Sequence, residues 1–414
     1  MGMTQGNNPV RVKKQNEVLV KEIIYKYGPI SRSQIAERLS LTPPTITTNV
    51  NALLKQGLVY ETEEGEEKPE HAPAGHKTLG RKPVKIDFVE NARYVIGAEI
   101  NKYQIAVCLM NLRGKVAGRK SRTYMRESDD YQTVMATLAG QIDQVIQESQ
   151  ISRDAILGVG VGITGFVDPV RGILKKSAYQ NWEDNQKTAE DLERLLSLPV
   201  IIENNARMRA VGEELFGNRH HADTFAYLLI SYGIACPMYI KDSVHTGESS
   251  GAGEIGHVVV DIHGPKCEVC GDFGCLEEMA SERAIVKQAK EAMKKGIPTL
   301  MNELTESPDD LTMKEILAAE EQGDDLAFEI VGKAIVYLGV ELANIINFIS
   351  PPLVIIDGYL MKVEKNRELI LKETKKHLFG VSEGEIEFQF VDFDPYTGAR
   401  GAGALAIKKY FIEQ

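Results

Sequence analysis

One imidazole and three thiols set the tightest constraint on this chain. His257, Cys267, Cys270 and Cys275 follow the spacing H-x9-C-x2-C-x4-C. Together they make the donor set of a closed tetrahedral zinc site. A segment that wraps an ion cannot run as one regular element, so residues 257–277 read as an irregular loop. Gly271 and Gly274 supply its tight turns. Four protein donors leave no open coordination position for water, so the expected Zn2+ is structural and not hydrolytic. The chain has five cysteines, an odd and sparse set that argues against a secreted disulfide scaffold. Cys108 and Cys236 sit in apolar strand-like runs and read as core residues. No apolar run approaches the roughly 18 residues of a membrane helix, and the polar N-terminus lacks a signal core. The expected location is therefore cytoplasmic, with no membrane partner.

Charge divides the chain. The net charge is −11, which disfavours a general polyanion binder, yet residues 1–60 hold eight basic against three acidic residues. An acidic run, Glu61-Thr62-Glu63-Glu64-Gly65-Glu66-Glu67, then opens a loop over 61–80 with no core of its own. The basic segment carries three helical patterns. Val18, Leu19, Ile23, Ile24 and Tyr27 form the first stripe, ended by Gly28-Pro29. Ser31 suits the N-cap of a second helix, with Ile35, Ala36 and Leu39 inward. Thr42 suits the N-cap of a third, where Pro43 fits the first turn. Leu58-Val59-Tyr60 and residues 84–88 read as two strands of a hairpin. Three helices and a hairpin make a winged helix-turn-helix over 1–90, whose third helix suits the major groove of duplex DNA. Thr45, Thr47, Thr48 and Asn51 would meet base edges. Arg32 would hold phosphate, and Arg81 and Lys82, at the return of the wing, would reach a minor groove.

From about residue 91 strands alternate with helices, which predicts an α/β body with mixed sheets. Strands are expected at 94–97, 104–112, 156–163, 200–203, 225–230, 236–240 and 353–358. Helices are expected at 134–149, 206–216, 277–295, 324–348 and 398–410. Asn204 and Asn205 follow a strand, at the edge where α/β proteins bind ligands. Glu254 and His257 stand one turn apart, and Glu277 follows Cys275 by two residues. Carboxylates and amides together supply donors and acceptors for several hydroxyls, as a sugar requires.

These stretches resemble the ROK family of repressors, open reading frames and sugar kinases. The matching runs are Gly160 to Asp168, Ile202 to Ala206, Glu254-Ile255-Gly256-His257 and Cys270 to Glu277. Gly-Pro-Ile-Ser-Arg from Gly28 matches the repressor branch. The resemblance implies an actin-like, ribonuclease H-like body similar to sugar kinases, with lobes at 91–205 and 206–414 and a sugar in the cleft. It implies sugar contacts at Asn204, Asn205, Glu254, His257 and Glu277, with His257 shared between zinc and sugar.

Departures from the family's kinases bear on activity. The general-base Asp of the kinases is here Asn205, an amide that accepts no proton at neutral pH. Their Asp-x-Gly-Gly-Thr phosphate loop is here Glu99-Ile100-Asn101-Lys102-Tyr103, without a glycine for close phosphate approach. Their second phosphate loop is here Ser231-Tyr232-Gly233-Ile234-Ala235, and Asp357-Gly358 replaces a Gly-Gly pair. The family's usual Cys-x-Cys is here Cys267-x-x-Cys270. Phosphoryl transfer depends on positioning and charge neutralisation, so the expected molecule is not an enzyme. It is a sugar-responsive repressor that binds operator DNA as a homodimer or dimer of dimers. The alternatives are an active ATP-dependent sugar kinase with an appended DNA-binding domain, and a body that takes a protein or a phosphorylated sugar. Lys175, Lys176 and Arg207 are the candidate phosphate contacts for the last.

Overall fold

A computed structural model describes residues 9–62, 84–126, 128–217, 222–241, 243–248, 250–380 and 384–414. Arg81, Lys82 and most of the acidic loop lie outside the described residues. The head begins with α1 (Pro9–Tyr27), which buries Val20 and Ile24. A short β1 (Ile30–Ser31) leads into α2 (Arg32–Leu39). Ser31 caps α2 as expected: its hydroxyl accepts from the Gln34 backbone, and the Gln34 side chain accepts from the Ser31 N–H. The third helix, α3 (Pro43–Lys55), buries Ile46, Val50 and Leu53 at helical spacing. Thr42 stands at its N-cap, but its hydroxyl pairs with that of Thr45 at 2.9 Å and makes no bond to the helix backbone. β2 (Val59–Thr62) and β3 (Lys85–Phe88) pair antiparallel, with β1 on the far side of β3. The result is a winged helix-turn-helix.

The first sheet of the body holds β4 (Tyr94–Ile100), β5 (Gln104–Asn111) and β6 (Val116–Tyr124) as an antiparallel meander. After α4 (Tyr131–Ser149), β7 (Ile156–Ile163) joins β4 in parallel. A hairpin of β8 (Gly165–Asp168) and β9 (Ile173–Ser177) precedes α5 (Thr188–Leu196). β10 (Val200–Asn204) completes the order β10-β7-β4-β5-β6 and runs directly into α6 (Asn205–Phe216). β6 escapes a reading by hydrophobic alternation because its sequence is polar and it forms the edge of the sheet.

The second sheet has β11 (Thr224–Ile230), β12 (Ile234–Ala235), β13 (Met238–Ile240) and β14 (Ser243–Val244). The strand expected at 236–240 is interrupted where Pro237 has no N–H to offer a ladder. The single helix expected at 277–295 is two, α7 (Leu276–Ala280) and α8 (Glu282–Lys294). Ser281 breaks it by taking an extended backbone and capping α8 through Ala284 N. Then follow α9 (Met301–Leu304), α10 (Met313–Glu321) and the long α11 (Asp325–Ile349). α11 carries Val331, Ile335, Leu338 and Leu342 into a core shared with α7 and α8. β15 (Leu353–Gly358) lies parallel to β11, and after α12 (Glu364–Lys376), β16 (Glu387–Phe390) lies parallel to β15.

The last helix, α13 (Thr397–Ile407), returns to the first sheet and packs on β4, β7 and α6. Its Gly- and Ala-rich sequence permits unusually close contact. A Cβ on Gly97 would stand 1.9 Å from the carbonyl oxygen of Ala399, and one on Gly160 would stand 1.9 Å from that of Ala402. A π-helical turn, Lys408–Ile412, continues α13. Phe411 and Ile412 there join Val20, Ile24 and Phe88 of the head in one hydrophobic cluster. The Phe88 and Phe411 rings meet edge to face with centroids 4.9 Å apart. The head is thus seated on the body through buried apolar surface.

Candidate functional site

The cleft between the two sheets is walled by the ends of their strands. Asn204 ends β10, and its side chain is engaged by the fold: Oδ1 accepts from Ala206 N at 2.9 Å and Arg207 N at 3.2 Å, and Nδ2 donates to Gly165 O at 2.9 Å. It therefore fixes the start of α6. Asn205, the next residue, lines the cleft with no side-chain hydrogen bond among the described residues. Glu254, His257 and Glu277 line the same cleft. Glu254 precedes a short 3-10 turn, Ile255–His257, that puts both its carboxyl and the imidazole on the cleft side.

Burial governs the charges here. It pushes Glu254 up to about 7, opposed by the Arg207 guanidinium and reinforced by the charge of Glu277. Glu277, 3% exposed, is also raised by burial, with the nearby His257 opposing. Glu277 Oε2 accepts from Tyr179 OH at 3.1 Å and Ile234 N at 3.2 Å, while Oε1 is buried without a hydrogen-bond donor. That oxygen lies 3.6 Å from the Arg283 guanidinium, which balances its charge without a hydrogen bond.

His257, Cys267, Cys270 and Cys275 converge, with one donor atom from each within 4.8 Å of the others. The Cys270 and Cys275 sulfurs are 3.5 Å apart, and Cys267 Sγ lies 3.7 Å from His257 Nδ1. Tetrahedral bonds of about 2.3 Å to sulfur demand sulfur separations of roughly 3.8 Å, so the donor set fits a metal ion. Burial and the crowding of neighbouring thiols raise Cys267 and Cys275. A cation at the centre removes that penalty by favouring the thiolates. With Nδ1 toward the cysteines, Nε2 of His257 is left for the cleft, which joins the metal cluster to the ligand wall.

Several cleft residues carry no signal in the sequence. Tyr103, Tyr179 and Tyr232 form an edge-to-face cluster with centroids 5.4 and 4.6 Å apart. Lys102 Nζ donates to Tyr179 O at 3.4 Å and lies over the Tyr232 ring. These four come from three loops and have no shared periodicity. Conversely, Lys175 and Lys176 do not line the cleft: Lys175 faces Asp168 at 4.0 Å and Lys176 is exposed. Arg207 is 2% exposed and bonds Glu203 at 2.8 Å and Ser250 O at 2.8 Å. It is a structural cation of α6, committed before any phosphate could reach it.

Beside the cleft lies a second opening, lined by Glu99, Arg209, Glu282 and Asp357 among others. Arg209 of α6 donates to both Glu99 oxygens at 2.8 and 3.0 Å and to Asp357 at 2.8 Å. Tyr227 OH donates to the same Asp357 oxygen at 2.7 Å. The triad ties β4 of one sheet to β15 of the other. The nearby loop is closed by its own side chain, since Asn101 Oδ1 accepts from Tyr103 N and Gln104 N at 2.9 and 3.0 Å.

On the head, Thr47, Thr48 and Asn51 are exposed along α3, and Thr45 is half-buried. Thr48 also donates to Pro44 O at 2.9 Å. Arg32 Nη2 donates to Asn51 at 3.4 Å and pairs with Glu61 at 2.7 Å, so the guanidinium is held beside the polar face of α3.

The ROK family model matches residues 95–409, and the MarR family model matches residues 15–66. The xylose repressor of Bacillus subtilis (strain 168) is 30% identical over 351 residues, 85% of this chain and 84% of the repressor. The DNA-binding transcriptional dual regulator NagC of Escherichia coli (strain K12) is 28% identical over 364 residues, 88% of this chain and 85% of NagC. Among solved structures, a ROK family transcriptional regulator, a homolog of the E. coli MLC protein, superposes with TM-score 0.80 at 24% identity and 97% coverage of both chains. A ROK family glucokinase from Streptomyces griseus superposes with TM-score 0.64 at 24% identity, over 75% of this chain and 98% of the kinase. The body thus has the actin-like fold of ROK sugar kinases behind a winged helix, and the chain belongs to the ROK family.

Proposed function

We infer that this protein is a sugar-responsive transcriptional repressor. The observation that carries the reading is the union of two surfaces in one chain whose head and body share a hydrophobic cluster. One is a cleft where Asn205, Glu254, His257 and Glu277 face a common space. The other is an exposed α3 face bearing Thr47, Thr48 and Asn51. The repressor names of the relatives support it. The sugar's hydroxyls would donate to the Glu254 and Glu277 carboxylates and accept from His257 Nε2 and the Asn205 amide. Zn2+ held by His257, Cys267, Cys270 and Cys275 would orient the imidazole, a structural role.

The same residues argue against phosphoryl transfer. Asn205 cannot take a proton, and the Arg209 guanidinium is spent on Glu99 and Asp357, which leaves a net negative charge where nucleotide phosphates would need countercharge. The protein is therefore read as a regulator and not an enzyme, acting in the cytoplasm. Among the described residues no helix is long and apolar enough to cross a membrane.

A path for the signal is laid out by the packing. α6 begins at the cleft with Asn205 and lies along α13. The continuation of α13 puts Phe411 and Ile412 into the head's core. Sugar binding that shifts α6 would move the seat of the head and so change how two heads of a homodimer, or of a dimer of dimers, span an operator. This requires different sugar affinity in the two arrangements.

The test is a mobility-shift titration on the native upstream region across salt, with and without each of a panel of pentoses, hexoses and amino sugars. Affinity should fall steeply with salt, as phosphate neutralisation requires, and should change with one sugar class. Absence of a shift at every salt concentration refutes the reading, and so does sugar-dependent ADP formation from ATP.

A further inference from the structure

Away from the sugar cleft, an opening of about 510 Å3 lies at the seam between head and body. Its wall includes Tyr25 of the head's α1, Arg113, Lys115 and Lys120 of the β5–β6 hairpin, Phe216 at the end of α6, and Arg400 of α13. In a chain of net charge −11, this wall has four cationic side chains and no acidic one. We propose that it is a binding site for a small phosphomonoester, distinct from the sugar cleft and independent of how that cleft is read.

The cations are held in place before any ligand arrives. Asn111 Oδ1 accepts from Arg113 N and Lys115 N, each at 3.0 Å, which fixes the hairpin turn. Arg113 is braced by Tyr25 O at 3.0 Å and by Asp87. Lys120 lies 4.6 Å from the centroid of the Tyr396 ring and 3.7 Å from Asp394. Lys115 pairs with Glu90 at 2.9 Å. None of those three acids lines the opening.

Arg400 differs from the other three. Among the described residues its side chain has no hydrogen bond and no ion pair, and its Nε is buried without an acceptor. Glu213 is close enough to feel its charge but does not bond it. A buried guanidinium N–H without an acceptor is rare in native proteins; Nε itself is enclosed, so a ligand would meet Arg400 through the part of the guanidinium that lines the opening. A dianionic phosphate is the group that best satisfies a guanidinium fork beside two ammonium groups. The volume exceeds what phosphate alone fills, and the rings of Tyr25 and Phe216 offer apolar cover for an organic remainder. Because Tyr25 belongs to the head and the remaining groups to the body, an occupant would bridge the two.

Phenyl phosphate is a suitable probe, since it carries a phosphomonoester and an aromatic remainder but no sugar hydroxyls. Calorimetry on the full chain at fixed ionic strength should show saturable binding of phenyl phosphate and none of phenol. Arg400→Gln and Lys120→Gln should each weaken it by about tenfold, the scale of one charge-assisted hydrogen bond. Lys176→Gln, an exposed change outside both openings, should leave it unchanged. The proposal fails if wild-type protein shows no saturable binding. It also fails if Arg400→Gln, folded by circular dichroism, binds as tightly as wild type, or if Lys176→Gln weakens binding as much as the other two.

Discussion

Replacing Arg209 by Ala tests whether the two sheets are held together by a buried ion triad. Side-chain exposure is 12% for Arg209, 1% for Glu99 and 8% for Asp357. The triad borders the second opening, so water replaces the guanidinium only in part, and Arg209→Ala leaves two largely buried carboxylates without their countercharge. Breaking a buried pair in this way costs about 3–5 kcal/mol. With a urea dependence of roughly 3 kcal/mol per molar, the unfolding midpoint should fall by about 1–1.7 M. The single tryptophan is a convenient reporter: Trp182 packs edge-on against Tyr131 of the first lobe, centroids 5.6 Å apart. Arg209→Met combined with Glu99→Gln and Asp357→Asn removes all three charges and should recover most of the midpoint. A midpoint shift under about 0.3 M would refute the reasoning.

Cys275→Ser should lower bound zinc in the purified protein, measured by atomic emission, and expose the loop around Glu277 to limited proteolysis. Glu254 stands at about 7 in the folded protein, so sugar affinity measured by calorimetry should fall as pH drops through 7 and the acceptor carboxylate is lost. Glu254→Gln should remove that dependence. Burial pushes Glu282 up from 4.5 to about 8, against a hydrogen bond from the Tyr359 backbone. The folded state therefore holds a proton that the unfolded chain releases, and this contribution to stability is full below 4.5 and is lost as pH rises to about 8. Glu282→Gln should flatten the stability curve over that window by up to about 1.4 kcal/mol per pH unit. Asn51→Ala should weaken specific operator binding by about tenfold or more while sparing sugar binding, read by mobility shift.

What the sequence determined by itself is local. Ser31 with Gln34 three residues on, the apolar stripe of α3, and the His-Cys spacing each depend on neighbours along the chain, where helical period and loop length decide the contacts. The cleft residues Asn205, Glu254, His257 and Glu277 were legible because they border that metal loop or end a strand of plain apolar pattern. The rest waits on packing. β6 and α12 are too polar to announce themselves, and each becomes an element only by covering an edge or a face. Arg207 looks like a surface cation until the fold buries it against Glu203. Arg209 meets Glu99 across 110 residues and Asp357 across 148, and Arg400 reaches the head's seam only because glycines at 97 and 160 let α13 lie flat on the first sheet. No periodicity encodes such meetings. They exist only once two sheets and a returning helix have excluded water from the space between them.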